Sequence, residues 1–181
     1  MILFERCAGY QARNSIAHNS IARYIDGMAK TTATTNTARA DQSLLLDQQV
    51  CFALYSASLA MTKVYKPLLA KLGLTYPQYL VMLVLWETDG LTVSSLGERL
   101  LLDSGTLTPL LKRLEAADLI TRLRDVSDER CVRVKLSAAG RALKASAAKI
   151  PAHIVARSQC SLPELLALRQ DIQVLRQHLL T

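Results

Sequence analysis

The succession of hydrophobic patterns between residues 77 and 136 constrains this chain most. Leu107, Leu110, Leu111, Leu114 and Ala117 recur at i, i+3, i+4, i+7 and i+10, which places them on one face of an α-helix. Immediately afterwards the period falls to two. Leu119–Arg124 and Cys131–Leu136 alternate around a charged turn, Asp125–Arg130, and so predict a β-hairpin. Asp103-Ser104-Gly105-Thr106 opens the helix with a capping carboxylate, and Pro109 lies early enough in it for a bend to be tolerated. Upstream, Thr92 caps a short helix with Leu96 and Leu100 inward. Before that, Gly73 and Pro77 punctuate, Tyr79–Thr88 form a compact apolar helix, and Asp89-Gly90 stops it.

Longer helical patterns flank this centre. From Ser43, Leu46, Val50, Leu54 and Leu59 return at i+4 or i+5 as far as Lys66-Pro67. Ser137 caps a helix from Ala138 to about Ile150, and Pro151 interrupts it. Leu162–Leu180 then forms a final amphipathic helix with Leu165, Leu168, Ile172, Leu175 and Leu179 inward. A chain of 181 residues, 50% hydrophobic but only 5% aromatic, suits one mostly α domain with a core of Leu, Ala and Val. That domain is expected over 43–181, with residues 1–42 apart from it. Thr31–Thr37 has no period, and Asn-Ser-Ile-Ala occurs twice, at 14–17 and 19–22. This stretch reads either as a disordered tail or as sequence upstream of a true start at Met28. No window holds the run of about eighteen apolar residues needed to span a membrane, and Met1–Tyr10 carries Glu5 and Arg6, unlike an export signal. A cytoplasmic protein is expected.

Two short helices followed by a two-stranded ribbon describe a winged helix-turn-helix, with Asp103–Asp118 as recognition helix and Asp125–Arg130 as wing tip. The reader spans about 77–136. The net charge of +7 invites a nucleic-acid partner, yet 77–136 holds eight basic against nine acidic side chains, so placement matters more than total. Ser104, Thr106 and Thr108 are small hydroxyls near a helix N-terminus, suited to base edges and phosphates, and Lys112 and Arg113 can reach the backbone. Arg124 or Arg130 suits the negative minor groove of an A·T-rich tract. The bland alternative is a packing unit with solvated charges. The long helices, 43–70 and 138–181, are more than so small a centre can cover. They suit either a symmetric dimer on a palindromic operator of double-stranded DNA, or packing on each other within one chain.

Residues 43–181 resemble the MarR family of regulators, and within it the repressors that sense organic hydroperoxides. At family level the resemblance rests on the helix order, on Leu102–Glu115 and on Asp128-Glu129-Arg130. At branch level it rests on Cys51-Phe52-Ala53-Leu54-Tyr55, on Tyr65, and on Leu74–Leu80. It implies a homodimer in which Cys51 is the redox-sensing thiol and Tyr65 and Tyr76 reach it from the partner subunit. It also implies that Cys160, just before the last helix, is the resolving cysteine of a two-cysteine member, and that organic hydroperoxides are the inducers.

Chemistry suits those residue types to sensing. A sensor must favour thiolate, which phenolic hydroxyls stabilise by donating to sulfur, and apolar Phe52 and Tyr55 favour organic over hydrogen peroxide. A sulfenic acid trapped as a disulfide escapes irreversible oxidation. Cys131 is read as incidental, and Cys7 belongs to the separate 1–42 stretch. The four cysteines show no CxxC, and His18, His153 and His178 have no partners at ligand spacing, so no metal or cofactor is expected. Two other readings compete. One is a regulator released by a small phenolic or carboxylate ligand with Cys51 only packing, and the other is a thiol peroxidase, for which the chain supplies no reductase or cofactor motif.

Overall fold

A computed structural model describes residues 43–124 and 131–181. The chain divides into two compact units, 1–56 and 57–181. In the first, a 3-10 turn at Leu46–Gln48 precedes helix α1 (Val50–Ala70), which runs on into the second. The helix therefore begins at Val50 rather than Ser43. Leu45 and Gln49 take extended backbone angles, and the Gln49 amide donates to the carbonyls of Ser43 (2.5 Å) and Leu45 (3.2 Å). A side chain thus takes carbonyls that a continuing helix would offer to its own amides.

The second unit continues with α2 (Tyr76–Glu87), β1 (Leu91–Thr92), α3 (Val93–Leu100), α4 (Ser104–Ala116), β2 (Ile120–Arg124) and β3 (Val132–Leu136). Three helices follow: α5 (Ala138–Ala147), α6 (Ile150–Ser158) and α7 (Leu162–Leu180). At the start of α2, Gln78 Oε1 accepts from the Thr75 amide (2.8 Å) and hydroxyl (2.9 Å), and Pro77 occupies the first turn, where no intrahelical donor is needed. The strands form an antiparallel sheet in the order β1-β3-β2, with Leu91 and Arg122 on either side of Val134. The expected two-stranded wing is present, and β1 makes it three-stranded. Two residues carry no period, so this strand left no trace in the pattern.

The core joins α2, α3, α4 and the sheet through Met82, Leu85, Leu96, Leu107, Leu111, Leu114, Ile120 and Val134, all but excluded from solvent. Leu110 is half-buried, and Ala117, which caps α4, is exposed. At the base of the ribbon, Trp86 Nε1 donates to the Gly140 carbonyl at 2.9 Å. A Cβ at Gly140 would stand 2.0 Å from the Leu119 carbonyl oxygen, so only glycine allows α5 to lie this close.

After α5 the sequence pattern misleads. Pro151 does not interrupt the helix from Ala138, which already ends at Ala147, but occupies the first turn of a new one, α6, that the pattern did not announce. Helix α7 starts with a capping box, in which Glu164 Oε2 accepts from the Ser161 amide (2.7 Å) and hydroxyl (2.8 Å). Its expected inward stripe is only partly covered among the described residues. Leu165 and Leu175 are half-buried, whereas Leu168, Ile172 and Leu179 are 52%, 40% and 75% exposed. Among the described residues no helix is long and apolar enough to cross a membrane.

Candidate nucleic-acid interface and thiol site

Helix α4 is fixed at its start by Asp103, whose carboxylate accepts from the Thr106 amide (2.8 Å) and hydroxyl (2.9 Å). These bonds hold the Asp103 carboxyl below its usual range, so the cap stays charged. The turn from α3 is equally tight. Leu101 takes a left-handed φ of 56°, the Leu102 amide donates to the Gly97 carbonyl (2.9 Å), and a Cβ at Gly97 would meet the Leu102 carbonyl oxygen at 2.7 Å. Leu107, Leu111 and Leu114 anchor the buried face, which leaves Ser104, Thr106, Lys112 and Arg113 exposed and Thr108 half-buried. Thr108 donates to the Ser104 carbonyl at 2.7 Å and Thr106 to Asp103, so both hydroxyls spend their proton within the helix and keep only acceptor capacity.

Arg124 ends β2, exposed, opposite Val132. Arg130 lies outside the described residues. Sequence reasoning missed the groups that brace the ribbon. Glu115, near the end of α4, accepts from the Arg122 amide (3.0 Å), from Nε (2.8 Å) and from the terminal guanidinium nitrogen (2.5 Å). The Arg122 guanidinium holds the Glu115 carboxyl below its usual range. Asp89, read only as a helix stop, accepts from the Gly90 (2.9 Å) and Leu136 (2.8 Å) amides and pairs with Arg141 at 2.6 Å. Asp89 satisfies groups about fifty residues on, and Glu115 reaches across the turn from helix to strand, so no helix or strand periodicity marks either.

Tyr65 on α1 and Tyr76 on α2, the two tyrosines singled out in the sequence, come together with ring centroids 4.9 Å apart. A third phenol, Tyr79, joins them 5.9 Å from Tyr65, and its position one helical turn after Tyr76 was the available signal. Burial first, then the neighbouring phenols of Tyr76 and Tyr79, push Tyr65 up to about 12, and burial raises Tyr76 and Tyr79 as well. All three remain neutral donors at physiological pH. Cys51 is exposed, as is Tyr55, while Phe52 is half-buried; these three belong to the first unit. Cys160 is exposed in the second unit, between the left-handed Gln159 that ends α6 and the Ser161 cap of α7. Cys131 is half-buried. Among the described residues no group of His, Cys, Asp and Glu is arranged to hold a metal.

The SarA/Rot family of transcriptional regulators matches residues 63–146. Over 130 residues the chain is 52% identical to the organic hydroperoxide resistance transcriptional regulator of Bacillus subtilis, which spans 72% of this chain and 88% of that protein. The chain belongs to the MarR family, in its organic hydroperoxide resistance branch. Another relative of this MarR-type chain, the transcriptional regulator TtmR of Methylorubrum extorquens, is 46% identical over 153 residues, 84% of this chain and 78% of the relative. Reduced AbfR bound to DNA shares the fold with a TM-score of 0.65 at 32% identity, over 78% of this chain and 99% of that one. The two sequence relatives are named as transcriptional regulators, not enzymes, and the MarR fold accounts for the helix order and the ribbon.

Proposed function

We propose that this MarR-type chain is a transcriptional repressor that releases its operator when Cys51 is oxidised by an organic hydroperoxide. The observation that carries the reading is an exposed Cys51 thiol at the head of α1, in a chain 52% identical to a regulator named for organic hydroperoxide resistance. The repressor binds as a homodimer, because the exposed leucines of α7 and of the start of α1 need cover, and each leucine fully buried contributes about 1.5–3 kcal/mol. Each α4 enters a major groove of a palindromic, A·T-rich site. Ser104, Thr106 and Thr108 meet base edges, the two threonines as acceptors, while Lys112 and Arg113 contact phosphates. Arg124 and Arg130 serve the flanking minor groove. A reader of operator DNA works in the cytoplasm.

In the sensing step the Cys51 thiolate attacks the terminal oxygen of the hydroperoxide. The O–O bond breaks, the terminal hydroxyl passes to sulfur, which is oxidised to sulfenic acid, and the alkoxide leaves as the alcohol with a proton taken from water. Tyr65 and Tyr76 of the partner subunit donate to the thiolate, a role that suits phenols kept neutral by burial. Cys160 of the partner subunit then attacks the sulfenic sulfur and releases water, leaving a disulfide across the dimer. Phe52 and Tyr55 offer the apolar surroundings that favour an organic peroxide. A gel-shift titration with cumene hydroperoxide tests this: operator release that added dithiothreitol reverses is expected, and retention of DNA at every dose contradicts it.

A second reading draws on a cleft between the second half of α1 and α6, lined by Lys63, Val64, Pro67, Leu68, His153 and Arg157. Cations beside apolar walls suit an aromatic carboxylate. Release of DNA by salicylate, with every thiol still reduced, favours that reading over the first.

A further inference from the structure

The ion pair between α4 and β2 is more than a local contact. Glu115 stands one residue before the end of α4, and Arg122 is the middle residue of β2. The carboxylate takes both a fork of guanidinium nitrogens and the backbone amide of the same residue, at 2.5–3.0 Å. Three bonds from one carboxylate fix a strand's side chain and its backbone together, which a single side-chain contact does not do. The pair is partly shielded, with the Arg122 side chain 26% and that of Glu115 35% exposed. Neither is therefore a free charge offered to a ligand.

The strand's alternation gives this brace its direction. Ile120, buried, and Arg122 share the face turned towards α4, and Arg124 follows on that same face two residues on, about 7 Å further along. There the strand ends, with Arg124 paired to Val132 in the last rung of the ladder and exposed. Glu115 thus holds the strand one pleat short of the cation that the proposed function sends to DNA.

We infer that Glu115 is a positioning residue for DNA binding: by clamping Arg122 it fixes the angle of β2 against the recognition helix and so presents Arg124 to the duplex. This rests on the proposed reading of α4 and the ribbon as the DNA reader. Glu115 carries a negative charge and is not expected to touch DNA, so removing that charge improves binding on Coulombic grounds alone. The brace predicts the opposite sign.

A double-mutant cycle in the full-length reduced protein separates these effects. Operator affinity and its salt dependence are measured for the parent, Glu115→Gln, Arg124→Ala and the double variant, with thermal melting alongside. Each single change is expected to weaken operator binding about tenfold and to lower the salt slope by about one. The double variant is expected to bind no more than about twofold worse than either single, because both remove the same contact. Multiplying effects, about hundredfold in the double, overturn the inference and leave Glu115 a matter of stability. Parent-like binding by Glu115→Gln overturns it too. Parent-like binding by Arg124→Ala removes the cation from the DNA contact and the inference with it, while operator binding by the parent still stands. A parent that binds no DNA at all instead defeats the reading on which the inference rests. If Glu115→Gln does not fold, Arg122→Lys, which keeps the charge and loses the fork, takes its place in the cycle with the same expected values.

Discussion

A phenol whose ionisation is pushed up to about 12 remains a hydrogen-bond donor throughout the range in which a thiol titrates. That property lets Tyr65 favour a thiolate without becoming a rival anion. It also has a measurable consequence. Because the folded value lies above the ordinary value near 10, the stabilisation is present below that pH and is lost as pH rises towards 12. Denaturant melts of the parent are therefore expected to weaken over this interval more steeply than those of Tyr65→Phe, and equal slopes contradict the assignment. The second cysteine fails in its own way. Cys160→Ser keeps the nucleophile and loses the trap, so under organic hydroperoxide it is expected to give no covalent dimer on a non-reducing gel. Its Cys51 is expected to reach sulfinic acid, read by mass spectrometry, at lower doses than in the parent. A covalent dimer that persists in Cys160→Ser and vanishes in Cys131→Ser moves the resolving role to the wing.

At the scale of elements, what was legible in the sequence depended on how far each signal reached along the chain. Leu107, Leu111 and Leu114 declared α4 because helix periodicity is local, and Ser137, Thr92 and Asp103 declared three helix starts because caps act within three residues. The two-residue β1 was illegible because it exists only once distant segments meet, and the clamp of Glu115 on Arg122 because it spans the turn between a helix and a strand, where neither period applies. Pro151 was misread because the same residue breaks a helix from inside and begins one at its first turn. Of the candidate site, Tyr65 and Tyr76 were named through the family resemblance and the exposed face of α4 through its periodicity, whereas Tyr79 and Asp89 were not singled out for the site. The closeness of α5 to the α4–β2 turn gives the sharpest test at this scale. Gly140→Ala forces a methyl against the Leu119 carbonyl and is expected to destabilise the fold by about 3 kcal/mol, read from denaturant unfolding. A change below about 0.5 kcal/mol contradicts the close approach.

The whole molecule is proposed to be a dimer whose covering helices come from both ends of the 43–181 domain. Sedimentation at micromolar concentration is expected to give twice the chain mass of 19.9 kDa for the full chain, and twice its own smaller chain mass for one begun at Met28. A Met28 form that is monomeric or does not bind operator shows that residues 1–27 belong to the working protein. At this scale oxidation must act through the dimer, since the proposed donors and the trapping thiol come from the partner subunit. The central claim is that one sulfur atom starts that change. It is tested most directly by the fraction of operator bound by Cys51→Ser as cumene hydroperoxide is raised beyond the dose that frees the parent. A hydroxyl of far higher pKa cannot attack the peroxide, so Cys51→Ser is expected to stay on DNA at every dose. Release of Cys51→Ser at the parent's dose contradicts thiol sensing by Cys51.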